Sequence, residues 1–269
     1  MKKIIFIFFL SISFLSSAQD FEGVMTWKIT PQMDAATKAR MDEAQERMND
    51  PATQAQIKEM REKMNDPQFK AMLESNPQMK AQMEQMLKMS EGGADNSYMP
   101  KNMVVKIKNQ NTLTKMEGGI MGPMEVLSLK DKNATYRIDR EAKTYSLMSS
   151  ERLDSMKVSD VKITKTGETS KILNYPCVKY VAESTIQGQP VQQIFWTTTA
   201  IKGLDLKDLA RQQMGNNQQA LFYEKIEGVP LKIEMKHPQM GMTMEVISLE
   251  KQSLSASDFS IPKDFKETH

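Results

Sequence analysis

The 269-residue chain is 39% hydrophobic and 26% charged, the balance of an ordinary globular protein. Lys and Arg total 36 against 34 acids, and Lys2 and Lys3 belong to an N-terminal leader, so the mature chain is neutral. It has no general electrostatic pull toward nucleic acid or anionic lipid. Two histidines, His237 and His269, and one cysteine, Cys177, leave little raw material for metal or nucleophilic chemistry.

Met1-Lys2-Lys3 is a positive start, Ile4 to Leu15 an apolar stretch, and Ser16-Ser17-Ala18 places small residues where a signal peptidase reads. The sequence therefore predicts a signal peptide over residues 1–18, cleavage near Ala18-Gln19, and a periplasmic or secreted mature protein. The apolar run is shorter than the roughly 20 residues that span a bilayer, and no second one follows, so no transmembrane segment is expected in the mature chain. A single Cys in an oxidising compartment makes no internal disulfide, so stability must come from a packed core.

Phe21, Gly23, Met25, Trp27 and Ile29 alternate with Glu22, Thr26 and Lys28, which predicts a first strand with one buried side. From about residue 33 to 91 the period becomes helical and the composition turns to Met, Gln, Lys and Glu, before Gly92-Gly93. Asn49-Asp50-Pro51, Asn65-Asp66-Pro67 and Ser75-Asn76-Pro77 each set a capping side chain before a proline, whose missing N–H is not needed at the first helical position. The residue before a proline resists the helical conformation, so each motif also stops the preceding helix. Short helices are predicted over 35–48, 52–64, 68–74 and 78–90.

These helices carry narrow apolar stripes: Met41, Ala44 and Met48; Ile57, Met60 and Met64; Phe69, Met72 and Leu73; Met79, Met83, Met86 and Leu87. Helices so short are marginal alone, so the stripes must rest on a sheet, on one another or on a guest. Twelve of the 24 methionines fall between Met33 and Met103. Met is flexible and polarisable, suited to variable apolar partners where Leu or Ile would define one packing.

From Met103 onward, short alternating runs return at about 103–107, 112–117, 124–130, 134–138, 143–148, 159–165, 177–185, 190–198, 219–226, 231–235 and 242–251. Strict alternation predicts antiparallel strands joined in a meander. One helix is expected to interrupt them after Asp205, with Leu206, Leu209, Ala210 and Met214 on one stripe. The whole reads as a mainly β (α+β) protein: a curved antiparallel sheet or half-barrel, helices on its concave face, and a Met-rich helical insertion in a single domain over 19–269.

Chemical motifs are sparse. There is no Gly-rich phosphate loop, Gly-x-Ser-x-Gly elbow or zinc helix. Cys177 opens a strand and reads as a buried, inert thiol, and Asn133-Ala134-Thr135 matches a glycosylation acceptor. His237-Pro238-Gln239-Met240-Gly241-Met242-Thr243-Met244 alternates three thioethers, the donors soft Cu(I) accepts, although a hairpin and an apolar strand face explain the same pattern. No other cofactor is indicated.

Tyr136-Arg137-Ile138-Asp139, Lys143-Thr144-Tyr145, Gly167-Glu168-Thr169, Ile172-Leu173-Asn174-Tyr175-Pro176-Cys177, Lys179-Tyr180 and Asp258-Phe259-Ser260-Ile261-Pro262-Lys263 together resemble a family of exported bacterial proteins known only as a domain of unknown function. That family is similar to the LolA/LolB-like superfamily. The resemblance implies a half-barrel around helices and the carriage of lipids or lipoproteins, with no catalytic residues to transfer. The insertion over 48–90 resembles helical repeats of ubiquilin-type co-chaperones, which hold apolar segments. The expected function is non-catalytic binding of a hydrophobic small molecule, lipid or apolar protein segment by Met60, Met64, Phe69, Met72, Met79, Met83 and Met86, with Trp27 and Trp196 on the sheet side. The alternatives are an envelope scaffold that pairs through the same helices, or a Cu(I)-binding protein.

Overall fold

A computed structural model describes residues 21–76, 79, 83, 100–117, 123–148, 158–186, 188–204, 225–236 and 240–268. The predicted leader, Met86, His237, the helix expected after Asp205 and most of the 78–90 segment lie outside these residues. So do positions 219–224 of one expected strand; the remainder of that run, Lys225 and Ile226, is not a strand.

Among the described residues, twelve strands form one open sheet. The first, β1 (Gly23–Met33), is followed by three helices, α1 (Ala35–Asn49), α2 (Pro51–Met64) and α3 (Pro67–Ser75). Then come β2 (Asn102–Lys108), β3 (Asn111–Glu117), β4 (Met124–Leu129), β5 (Ala134–Asp139) and β6 (Thr144–Leu147). The second run is β7 (Val158–Ile172), β8 (Tyr175–Ile186), β9 (Gln189–Thr198), β10 (Val229–Lys236) and β11 (Met240–Lys251), and the chain closes with β12 (Lys266–Glu267). The spatial order is β12-β6-β5-β4-β3-β2-β1-β11-β10-β9-β8-β7. Two meanders thus run outward in opposite directions from a central seam where β1 pairs with β11. Every pair is antiparallel except β12 on β6, a parallel pair that the alternation pattern does not announce.

The fold class is therefore mainly β, with helices inserted between the first two strands. Open twisted sheets of this width curl rather than stay flat. Bulges assist the bend: the register shifts between Thr26 and Trp27, between Pro230 and Lys232, and at two points of β7. One of these points surrounds Gly167, at φ +68°, which carries β7 through Gly167-Glu168-Thr169 and on to Ile172, past the end expected near 165.

The first strand also runs four residues past Ile29. Its pairing to β2 stops at Lys28 opposite Asn102, whereas its pairing to β11 continues to Met33 opposite Met240. From Thr30 the strand has one neighbour only, so Pro31 lacks no ladder bond on the free side. Asp34 then caps α1 by accepting the Thr37 N–H at 2.6 Å. Asp50 accepts from Ala52 and Thr53, and Asp66 from Gln68 and Phe69, as the Asp-Pro motifs require. Asn76 accepts the Met79 N–H at 3.3 Å, the same signature at the third motif.

Both faces of the sheet are packed. Phe21, Met25, Trp27, Val105, Ile107, Leu231 and Val246 belong to one core cluster around the seam. Leu113, Leu127, Leu129 and Ile138, with Val24 beside them, form a second cluster on the other face of the β1–β5 half, covered by Leu254, Phe259, Ile261 and Phe265 of the C-terminal segment. That segment is pinned by Glu22, whose Oε1 accepts both the Leu254 N–H at 2.6 Å and Lys108 Nζ at 2.8 Å. Lys106–Asp258 and Lys143–Asp264 pairs hold it further along.

Candidate functional site

Antiparallel register carries a side chain's face from strand to strand, because directly opposed residues point the same way. Starting from Trp27, one row runs Met124–Met116–Met103–Trp27–Val246 across β4, β3, β2, β1 and β11. Two residues along β1, the next row on the same face is Ile29–Met244–Ile233. The third is Pro31–Met242–Met235–Gln193, and Met33 stands opposite Met240 in the fourth. Met33, Met103, Met116, Met124, Met235, Met242 and Met244 are all half-buried, and Met103 and Met244 pack on the seam core. The result is a continuous thioether-rich face, located where the chain leaves the sheet for the helices.

The opposite face at the same place is ionic. Lys28, Glu245 and Lys232 form a row one residue out of step with Trp27, and Lys232 Nζ lies 3.4 Å from Glu234 and 3.7 Å from Glu245. Charge is thus segregated from the methionine face by strand parity alone. On the methionine side of β3, Thr114 Oγ1 is buried with no hydrogen-bond partner, two residues from Met116. Ser128 and Thr135, opposite each other on that side, satisfy one another at 3.1 Å.

The expected lining residues divide. Met60, Met64, Phe69 and Met83 are half-buried, whereas Met72 and Met79 are 43% and 39% exposed. Among the described residues of the helical insertion, the most buried side chains are Ile57 and Leu73, at 6% and 3%. Trp27 is buried in the middle of the methionine row. Trp196 stands opposite Lys179 and Lys232, in the ionic row, with Lys179 Nζ 5.7 Å from its ring centroid; it still packs against the end of the seam core. Sequence reading missed Met33, Met103, Met116, Met124 and Met235. Each sits at or near a strand end, and only inter-strand register reveals that they share a face.

Cys177, Glu125 and Glu22 are engaged structurally. Burial raises the Cys177 thiol, which donates to the Tyr175 carbonyl oxygen, in keeping with an inert cysteine. Burial also pushes the Glu125 carboxyl up, but the Arg140 and Lys115 cations, at 2.7 and 2.8 Å, outweigh it and hold the group below the ordinary range. The Leu254 N–H, then Lys108, lower Glu22 likewise. Among the described residues no group of three His, Cys, Asp or Glu side chains is placed to hold a metal, and no helix is long and apolar enough to cross a membrane.

The chain belongs to the family described as Domain of unknown function (DUF4412), which matches residues 83–265. The first strand and helices α1–α3 precede the matched region. No curated protein matches. Among solved structures, the crystal structure of LprF from Mycobacterium bovis is similar over 62% of this chain and 83% of that chain, at 9% identity and a TM-score of 0.29.

Proposed function

We propose that the protein is a non-catalytic binder of an apolar or amphipathic guest, such as a lipid, lipoprotein or apolar peptide segment, in the periplasm or outside the cell after its leader is removed. The guest lies on the methionine face around Trp27, Met103 and Met116, and the helical residues Met60, Met64, Phe69, Met72, Met79 and Met83 close over it. The observation that carries this reading is the unbroken, uncharged row Met124–Met116–Met103–Trp27, in which three half-buried thioethers flank a buried indole. Burying apolar surface there stabilises a complex by about 25 cal/mol per Å² without directional chemistry, and thioethers adapt to varied acyl or side-chain shapes.

Titration with cis-parinaric acid, read by its fluorescence, tests the reading. The mature wild-type chain is expected to bind it, and Met103→Gln with Met116→Gln to weaken binding at least tenfold. Ser255→Ala, on the opposite face, should leave it unchanged. Saturable binding that ignores the sheet methionines overturns the site, and no binding by wild type overturns the function. A protein co-purifying in fixed stoichiometry, with no lipid, would favour the scaffold role instead.

A further inference from the structure

We propose that Met235, Met242 and Met244 form a thioether site for Cu(I). Sequence places Met242 and Met244 on one face of a strand. The structure adds the third donor from another strand: Met235 on β10 stands directly opposite Met242 on β11, and Met244 is the next same-face residue along β11. Directly opposed Cα atoms in an antiparallel pair lie about 4.5–5.5 Å apart, and same-face neighbours along a strand about 7 Å. Three unbranched side chains with free χ angles meet above such a triangle without any backbone movement.

The two strands are pinched at this point. A Cβ on Gly241 would lie 2.7 Å from the Met235 carbonyl oxygen, so only glycine lets β10 approach here, and that approach fixes Met235 against its partner. All three methionines are half-buried, within reach of an incoming ion. The acids nearest in sequence, Glu234 and Glu245, alternate to the far face, where Lys232 pairs with both. Among the described residues of these two strands, the near side therefore offers neutral sulfur and no carboxylate. Such a set suits a soft monovalent ion and rejects Zn²⁺, Mg²⁺ and Ca²⁺, which favour harder or anionic ligands. This site does not rest on the guest-binding reading; either can hold without the other.

The test is anaerobic competition of the mature chain against the Cu(I) chelator bicinchoninate. Wild type is expected to retain one equivalent of Cu(I). Met235→Leu/Met242→Leu/Met244→Leu should weaken retention at least 100-fold, and Met242→Leu alone about tenfold. Leu conserves the apolar volume, so circular dichroism should match wild type. The helical variant Met60→Leu/Met64→Leu should bind as wild type does, and Zn²⁺ should not displace the ion. Failure of wild type to compete overturns the site. So does retention by the triple variant, or equal loss in the helical variant.

Discussion

The methionines of the helical insertion and those of the sheet are chemically identical and structurally opposite. In the insertion, each short helix turns its own stripe, and burial falls to Ile57 and Leu73 while Met72 stays 43% exposed. In the sheet, methionines far apart in sequence share rows, all half-buried, because hydrogen-bonded register aligns them. Helical periodicity fixes a face within one segment and leaves the next segment's face free. Pairing register transmits a face across every strand it joins.

The largest test of this contrast is truncation of one buried leucine in each region. Leu231→Ala, fully buried at the seam, should cost about 2–5 kcal/mol of global stability by chemical denaturation. Leu73→Ala should instead raise hydrogen exchange in α2 and α3 and leave the sheet amides protected. A shared loss of protection would show the insertion and the sheet to be one cooperative unit. A smaller effect sharpens the helical side: Asp66→Ala removes the acceptor for two backbone N–H groups and should cost about 1 kcal/mol of helix stability, read as lost helical ellipticity. Asp66→Asn, which still accepts, should not.

The gentlest probe is acid. Glu22 is lowered by the Leu254 N–H and Lys108, and Asp264 by Lys143, so both favour the folded state above their unfolded values near pH 4. That contribution fades as pH falls through the lower folded values. Amides of the C-terminal segment 254–265 should accordingly lose exchange protection below about pH 4, ahead of those at the seam. Glu22→Gln should flatten this dependence; an unchanged acid profile would show that the segment is held by Phe259 and Leu254 alone.

Much of the architecture could be read from residues. Alternation at Met103, Val105 and Ile107, or at Leu231 and Ile233, predicts strands, and the Asp-Pro pairs at 50–51 and 66–67 set helix starts, because both signals act within a few residues. Asn109 and Gln110, at φ 50° and 63°, make the two-residue turn that joins β2 to β3, again a local matter. The continuation of β1 to Met33 was hidden, since Pro31 looks like a stop until β11 supplies the partner. The C-terminal cover over Leu113 and Leu127 was equally hidden, for its contacts span more than a hundred residues.

The sequence by itself determined most of the segments that become strands, where three helices begin, and that sulfur-rich apolar surface exists. Tertiary structure alone decided that β1 joins β11 and so unites two meanders, that Met124, Met116, Met103 and Trp27 form one row, and that Met235 meets Met242. The reason is physical: propensity and capping are settled by neighbours along the chain, whereas register is settled by which backbone groups find partners once distant strands collapse together.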